Sequence, residues 1–277
     1  MITLSMASKD YRLCIQIIAF ILFSLSGANL TYSQKFIIGI KAGATFSKSS
    51  FDDKDDNDAF TNLWKPGYFG AALINFPLNK NFSFQTETGF SQRGRKIEFN
   101  DNTWLNNASY HFIDASMNLR KSFPLNWMRN VKSGWFINLG PKVSYWLSGK
   151  GKVTGGDNFD YEVKFEKQPE NPNTADFNTM YMSDINHWHF GLDFGVGVDA
   201  PTLALQRFMI ELRYTSGLTF YGEKNSAFNP TPGFTDNLRA NENVISLFIT
   251  YVLNRDIKKG NSAKNKKPRK NFDSLLH

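Results

Sequence analysis

A chain of 277 residues with one cysteine, Cys14, is long enough for one sizeable domain and excludes a disulfide framework. The formal net charge of +7 is concentrated at the ends: residues 255–277 hold eight Lys or Arg against Asp256 and Asp273, and Lys9 and Arg12 outweigh Asp10. Residues 35–254 are therefore neutral, which excludes a nucleic-acid surface, and a mean hydropathy of −0.38 excludes a bundle of membrane helices even though 15% of residues are aromatic.

The N-terminus carries a processing signal. Lys9 and Arg12 precede the apolar run Leu13–Leu25, which leads into Ser26-Gly27-Ala28 and Thr31-Tyr32-Ser33. The run is shorter than the ~20 residues a spanning helix needs. It matches the apolar region of a secretory signal, with small residues before a cut near Gln34. Residues 1–33 are thus expected to be a signal peptide that takes Cys14 with it.

From there the chain alternates with period two. The first strand, Lys35–Ser47, sets Ile38, Ile40, Ala42, Ala44 and Phe46 against Lys41, Gly43 and Thr45. An acidic loop, Lys48–Leu63, follows. The second strand, Trp64–Phe76, is rich in Gly and Ala and its phase is ambiguous. After the turn Pro77–Asn81, the third, Phe82–Phe99, opposes Phe84, Thr86, Thr88 and Phe90 to Gln85, Glu87, Ser91 and Arg93. The fourth, Ala108–Phe123, opposes Ile113, Ala115, Met117 and Leu119 to Asp114, Ser116, Asn118 and Arg120.

The fifth, Trp135–Gly149, sets Ile137, Leu139, Val143, Tyr145 and Leu147 against Asn138, Lys142 and Ser144. A long polar loop, Lys150–Asn186, leads to the sixth, His187–Ala200, where every second residue from Trp188 to Val198 is apolar. That face spans roughly 25 Å along a membrane normal, at ~3.3 Å per residue and ~40° tilt. The seventh, Arg207–Tyr221, places Glu211 and Arg213 between apolar neighbours, and the eighth is Glu242–Asn254.

Alternation over such lengths exceeds an ordinary soluble strand of about five or six residues. It suits an object with apolar residues facing lipid and charges inside. The expected fold is all-β: an eight-stranded antiparallel up-and-down transmembrane β-barrel over residues 34–254, followed by a basic tail, 255–277, lacking the composition of a packed core. Connections after the odd strands are mostly long and those after the even strands shorter. Both termini are therefore expected in the periplasm of an outer-membrane protein. Trp64, Tyr110, Trp146, Trp188 and Tyr221 are expected in the outer aromatic girdle, with Phe82, Phe123, Trp135 and Phe208 in the inner one.

Several stretches resemble the PorT-like outer-membrane β-barrel family. They are Gly39-Ile40-Lys41-Ala42-Gly43, Glu87-Thr88-Gly89-Phe90-Ser91-Gln92-Arg93-Gly94, Gly191 to Gly197, Arg213-Tyr214-Thr215-Ser216-Gly217-Leu218 and Ile249-Thr250-Tyr251. The resemblance covers roughly residues 34–254. It implies an outer-membrane barrel and, from the namesake, a role in type IX secretion; the basic tail departs from the family's usual pattern.

The candidate functional residues are the inward charges: Lys41, Arg93, Arg120, Lys142 and Arg213 against Glu87, Asp114, Asp193 and Glu211. Near balance of sign points to a structural ion-pair core rather than a conducting pore. No catalytic, cofactor or metal residue is expected. The loop from Asp53 fails the EF-hand pattern at its glycine and closing glutamate. His187 and His189 lack a third ligand of diagnostic spacing, although His111 is a candidate neighbour. Neither G-x-S-x-G nor H-E-x-x-H occurs. The reading is a scaffold in contact with outer-membrane lipid, with an envelope protein partner for the basic tail and no nucleic acid. The alternative is an outer-membrane enzyme acting on lipid or peptide at the extracellular rim.

Overall fold

The computed structural model describes residues 36–99, 104–128, 131–155, 158–166, 178–182, 185–201, 207–222, 227–231 and 234–253. The expected signal peptide and the basic tail lie outside the described residues. In chain order the elements are β1 (Ile37–Phe51), a short helix α1 (Lys54–Ala59), β2 (Phe60–Leu63), β3 (Lys65–Pro77), β4 (Phe82–Phe99), β5 (Leu105–Met128) and β6 (Val131–Thr154). They continue as β7 (Phe159–Lys164), β8 (Thr179–Tyr181), β9 (Trp188–Pro201), β10 (Arg207–Gly217), β11 (Ala227–Thr231), β12 (Phe234–Asn237) and β13 (Ala240–Leu253).

Eight of these close a ring. β1 pairs with β3, β3 with β4, β4 with β5, β5 with β6, β6 with β9, β9 with β10 and β10 with β13, all antiparallel. The last pairing, β13 with β1, runs from Ile38 opposite Leu253 to Phe51 opposite Ala240. Closure leaves the barrel wall without a free sheet edge, which is what a bilayer demands of backbone polar groups.

The stagger can be counted across paired residues. The path Gly39, Leu73, Glu87, Ser116, Lys142, Gly191, Gly217, with Glu242 beside it, returns to Ser49, ten residues along β1 from its start. Such a shear on eight strands fits tilts of about 35–45° and an interior just wide enough to be filled by side chains.

The outside is apolar. Ile40, Tyr68, Leu139, Phe194, Leu212, Leu247 and Ile249 are each more than half exposed, and Phe90 and Ile113 carry the apolar face across β4 and β5. The ambiguous phase of β3 resolves with Phe69 and Leu73 inward and Tyr68 and Ile74 outward. Among the described residues the wall extends beyond the apolar band chiefly through β4, β5 and β6 and the strands paired with them. β5 and β6 extend past the expected strand ends, β7 pairs with the end of β6, β8 joins β7 in parallel, and β2 pairs with the end of β4. Much of the expected loop at 48–63, and the described parts of that at 150–186, are therefore built into the wall as a collar. The seventh expected strand stops at Gly217, and Tyr221 instead donates its backbone N–H to Ala240 O at 3.0 Å.

The expected outer girdle needs correction. Trp64 and Trp188 are 45% and 50% exposed, but Tyr110, Trp146 and Tyr221 are buried inside the barrel. In β6 the register shifts between His111–Ser148 and Phe112–Trp146, a bulge that puts Leu147 and Ser148 both outward. Trp146 keeps the inward parity of Asn138 and Ser144 below this bulge.

Depth in the band sets the expected cost of a charge. Val196→Arg, mid-band, is expected to destabilise the barrel by about 2–4 kcal/mol, and Ser148→Arg, at the edge, by about 0–1 kcal/mol. Reversible urea unfolding from lipid vesicles, followed by tryptophan fluorescence, measures both; equal costs would contradict the depth assignment.

Candidate functional site: the barrel lumen

Each inward position is a consequence of strand parity, since consecutive side chains alternate between lipid and lumen. β1 supplies Lys41; β4 supplies Gln85, Glu87, Arg93 and Arg95. Asp114 and Arg120 come from β5, Asn138 and Lys142 from β6. Asp193 comes from β9, Glu211 and Arg213 from β10, and Glu242 from β13. All nine sequence-predicted charges lie inside, with Lys142 the most accessible at 11% side-chain exposure.

They form two ion-pair groups, with Arg120 nearer the short-turn end. In the first group Lys41 Nζ donates to Glu87 Oε1 at 2.5 Å and to Glu211 Oε2 at 2.8 Å. Arg213 grips Glu87 with both Nη atoms, at 2.8 and 2.9 Å. It also donates from Nε to Glu211 Oε1 at 2.6 Å and from Nη1 to Asp193 Oδ2 at 3.1 Å. Neutral donors complete the set: Gln85 Nε2 to Glu87, Asn138 Nδ2 to Glu211 and Thr215 Oγ1 to Asp193. Lys41 lies two strands from both β4 and β10, so its two partners meet it only because the ring is closed. The Phe248 ring lies 5.2 Å from both Lys41 Nζ and the Arg213 guanidinium.

The second group is Arg93 with Asp114 at 3.3 Å and Glu242 at 2.6 Å, and Lys142 with Asp114 at 3.4 Å. Arg120 lies nearer the short-turn end, with Nη1 2.8 Å from Met209 Sδ and its guanidinium 3.6 Å from the centre of the Phe136 ring. Sequence reasoning missed Glu242, Arg95 and the inward aromatics. Their signal was present: Arg95 shares the parity of Arg93, and Glu242 the parity opposite Ile245 and Leu247.

Space for the first group is made by glycine. A Cβ at Gly195 would collide with Asn138 Oδ1 and Glu211 Oε1, and one at Gly197 with the Phe136 ring. The alternating glycines of β9 thus hollow the wall where the ion pairs need volume.

Among the described residues the middle of the lumen and its collar end are filled. Cavities flanking the ion-pair groups measure about 20 Å3, beside Arg93, His189 and Glu242, and about 10 Å3, beside Glu87, Asp114 and Arg213. That is room for about one water molecule each. At the collar end Tyr110, Phe112, Trp146, Tyr161, Met180 and Tyr221 form a buried aromatic stopper. At the short-turn end a concavity of about 260 Å3 opens beside Arg120, Asn75 and Ser122.

The histidines do not converge. His111 stacks on Phe90 outside the wall and shares a 3.2 Å hydrogen bond with Ser148, whereas His189 is buried against Phe112, Trp146 and Tyr221. His187 stacks on Tyr145. Among the described residues no group of three His, Cys, Asp or Glu could hold a metal ion. In the acidic loop, Asn57 Nδ2 donates to the carbonyls of Phe51 and Asp53, fastening α1 to the end of β1.

With this geometry in hand, residues 31–220 match the model of the outer membrane protein beta-barrel domain. The chain belongs to that family. It is an outer-membrane β-barrel protein. Among curated proteins no relative matches. Among solved structures, Ail, the attachment invasion locus protein of Yersinia pestis, is 12% identical, with 79% of this chain and 99% of that one covered and a TM-score of 0.33. Neisserial surface protein A is 11% identical over 77% of this chain and 95% of that one, with a TM-score of 0.35. The outer membrane protease OmpT from Escherichia coli is 10% identical over 81% and 98%, with a TM-score of 0.26.

Glu87 is the keystone of the barrel's first ion-pair group, facing two cations at once. Glu87→Gln keeps the volume but leaves Lys41 and Arg213 under-neutralised, with an expected loss of about 3–5 kcal/mol. Adding Arg213→Met to that variant is expected to cost less than the two single losses summed, as read by a double-mutant cycle in urea. Strict additivity would show that the pair is not coupled.

Proposed function

We propose that the protein is a closed outer-membrane scaffold that acts through its rims and its basic tail on envelope partners, in the manner of the PorT-like family and its link to type IX secretion. The observation that carries this reading is the filled lumen. Ion pairs bridge the barrel interior, the adjoining cavities hold about a water molecule each, and an aromatic stopper occupies the collar end. His187 and His111 are engaged in ring stacks with Tyr145 and Phe90, and His189 is buried edge-on to Trp146, which favours a scaffold over a rim enzyme.

In this reading the short turns and both termini are periplasmic and the collar is outside the cell. Support comes from the short β3–β4, β5–β6 and β9–β10 connections at one end and the long ones at the other. The tail would then meet either anionic headgroups or an acidic periplasmic partner, with about 1 kcal/mol for each Lys or Arg near an anionic surface.

Planar-bilayer recordings of the refolded chain are expected to show no stable large conductance, and such a conductance would overturn the closed-scaffold reading. In cells, Asp55→Cys is expected to react with an impermeant maleimide and Lys80→Cys to stay unlabelled; the reverse would invert the orientation. Deleting residues 258–277 is expected to leave assembly intact and to weaken crosslinking to envelope proteins, most at low salt. An unchanged crosslinking profile would remove the tail from the proposal.

A further inference from the structure

The concavity of about 260 Å3 at the short-turn end opens into the barrel interior, and strand parity decides its lining. Ile37, Met209 and Val252 pack together on one side, with Leu73 in the same lining. Asn75, Arg120 and Ser122 contribute polar groups. Asp199 is the only acid among the described residues of the lining. It shares the inward face of β9 with Asp193. Arg213 holds Asp193 at 3.1 Å, whereas Asp199 has no such ion pair among the described residues and its Oδ1 has no hydrogen-bond partner. A half-buried carboxylate in that state favours any cation that can reach it.

The basic tail is the cationic segment tethered closest to this opening. β13 ends at Leu253, and Val252 just before it belongs to the lining, so the tail leaves the wall at the lip of the concavity. Within the tail, Lys266, Lys267, Arg269 and Lys270 stand directly ahead of Phe272, Leu275 and Leu276, its densest apolar group. The stretch 254–270 spans about 55 Å when extended and on the order of 20 Å as a coil, enough for that group to return to the lip. A tethered segment meets its site at an effective concentration on the order of millimolar, so a weak fit suffices.

We propose that residues 269–276 seat in this concavity. Leu275 and Leu276 lie against Ile37, Met209 and Val252, with Phe272 at the lip. Lys270 pairs with Asp199, and Asp273 faces Arg120. The chain thereby covers its own short-turn end. On the scaffold reading above, a partner of the tail would have to displace this contact, but the contact itself rests neither on that reading nor on the orientation.

The test is disulfide formation within the refolded full chain in lipid nanodiscs, in a Cys14→Ser background. Ser274→Cys is combined either with Ser122→Cys, in the lining, or with Lys121→Cys, its neighbour on the outer face of β5 beside Phe82 and Phe123. Under mild oxidation the inner pair is expected to close about tenfold faster than the outer pair, a preference worth about 1.4 kcal/mol, at a rate independent of protein concentration. Asp199→Asn is expected to slow the inner pair by about threefold or more at low salt and less at high salt. Leu275→Ser with Leu276→Ser is expected to slow it at any salt. Heat-modifiable gel mobility checks that every variant is a folded barrel.

Equal rates for the two pairs would reduce the tail to a chain that visits the rim at random. A faster outer pair would give its apolar group to lipid, and a rate that rises with protein concentration would make the contact one between copies. Each of these overturns the proposal, as does an inner pair that neither Asp199→Asn nor the leucine changes slow. If deleting residues 258–277 leaves the crosslinking to envelope proteins unchanged while the inner pair still closes fast, the partner falls and the contact stands.

Discussion

Backbone pairing in a solvent without hydrogen bonds is the constraint on which the rest of this structure depends. In lipid an open sheet edge costs several kcal/mol for each unpaired group, so the wall has to close. Here closure rests on β1 and β13, the first and last strands, whose register runs unbroken over fourteen residue pairs from Ile38 to Phe51. Closure converts a local property, alternation, into a global one. Every second side chain is turned into a space too narrow for bulk water, and its charges must find partners there.

That explains why the ion pairs span strands far apart in sequence. Lys41 is 46 residues from Glu87 and 170 from Glu211, yet both are within hydrogen-bonding distance. Neighbouring strands supply Arg213–Asp193 and Arg93–Asp114, while Lys41 reaches strands two away on either side, as a closed ring allows. The first group therefore senses ring closure directly, because β1, β4, β9 and β10 contribute to it together. Its net stabilisation relative to a well-packed apolar interior is small by general experience with buried ion pairs. Its contribution lies in register: a slip of one residue in β10 would send Glu211 and Arg213 into lipid and bring Ile210 and Leu212 inside. The charges make that alternative far more costly than an all-apolar lumen would.

Most of this barrel was legible in the sequence, because its exterior is decided by parity and parity is visible. Trp188 to Val198 in β9 and Ile245 to Leu253 in β13 face outward as their alternation requires. The misplacement of Tyr110, Trp146 and Tyr221 came from treating aromatics near strand ends as interfacial anchors, when their own parity already pointed inward. Tyr110 matches Asp114, Trp146 matches Asn138, and Tyr221 matches Arg213. The bulge at Leu147 was not legible, since nothing in Tyr145–Gly149 marks where one residue leaves the ladder. The collar strands were hidden for another reason. β7 and β8 have only one face against the barrel and lie in polar sequence, so their alternation is short, with Tyr161 and Val163 as the inward pair.

The aromatic cluster at the collar end completes the packed interior. The stopper packs Trp146 against Tyr110, Phe112, Phe165 and Tyr221, with ring centres 4.6 to 6.0 Å apart. It seals the collar end with the same residues that anchor β7 to the wall. One cluster therefore both fills the collar end and holds β7 to the wall. Rigid rims favour binding, because groups held in place lose little freedom when a partner arrives. Arg95, with no exposed surface, sits between the Phe51 and Tyr221 rings and donates to Asn237 O at 3.0 Å. It thereby ties the β12 segment to the stopper. The wall that lipid requires, the charges that closure confines and the aromatic cluster above them are thus parts of one packed interior.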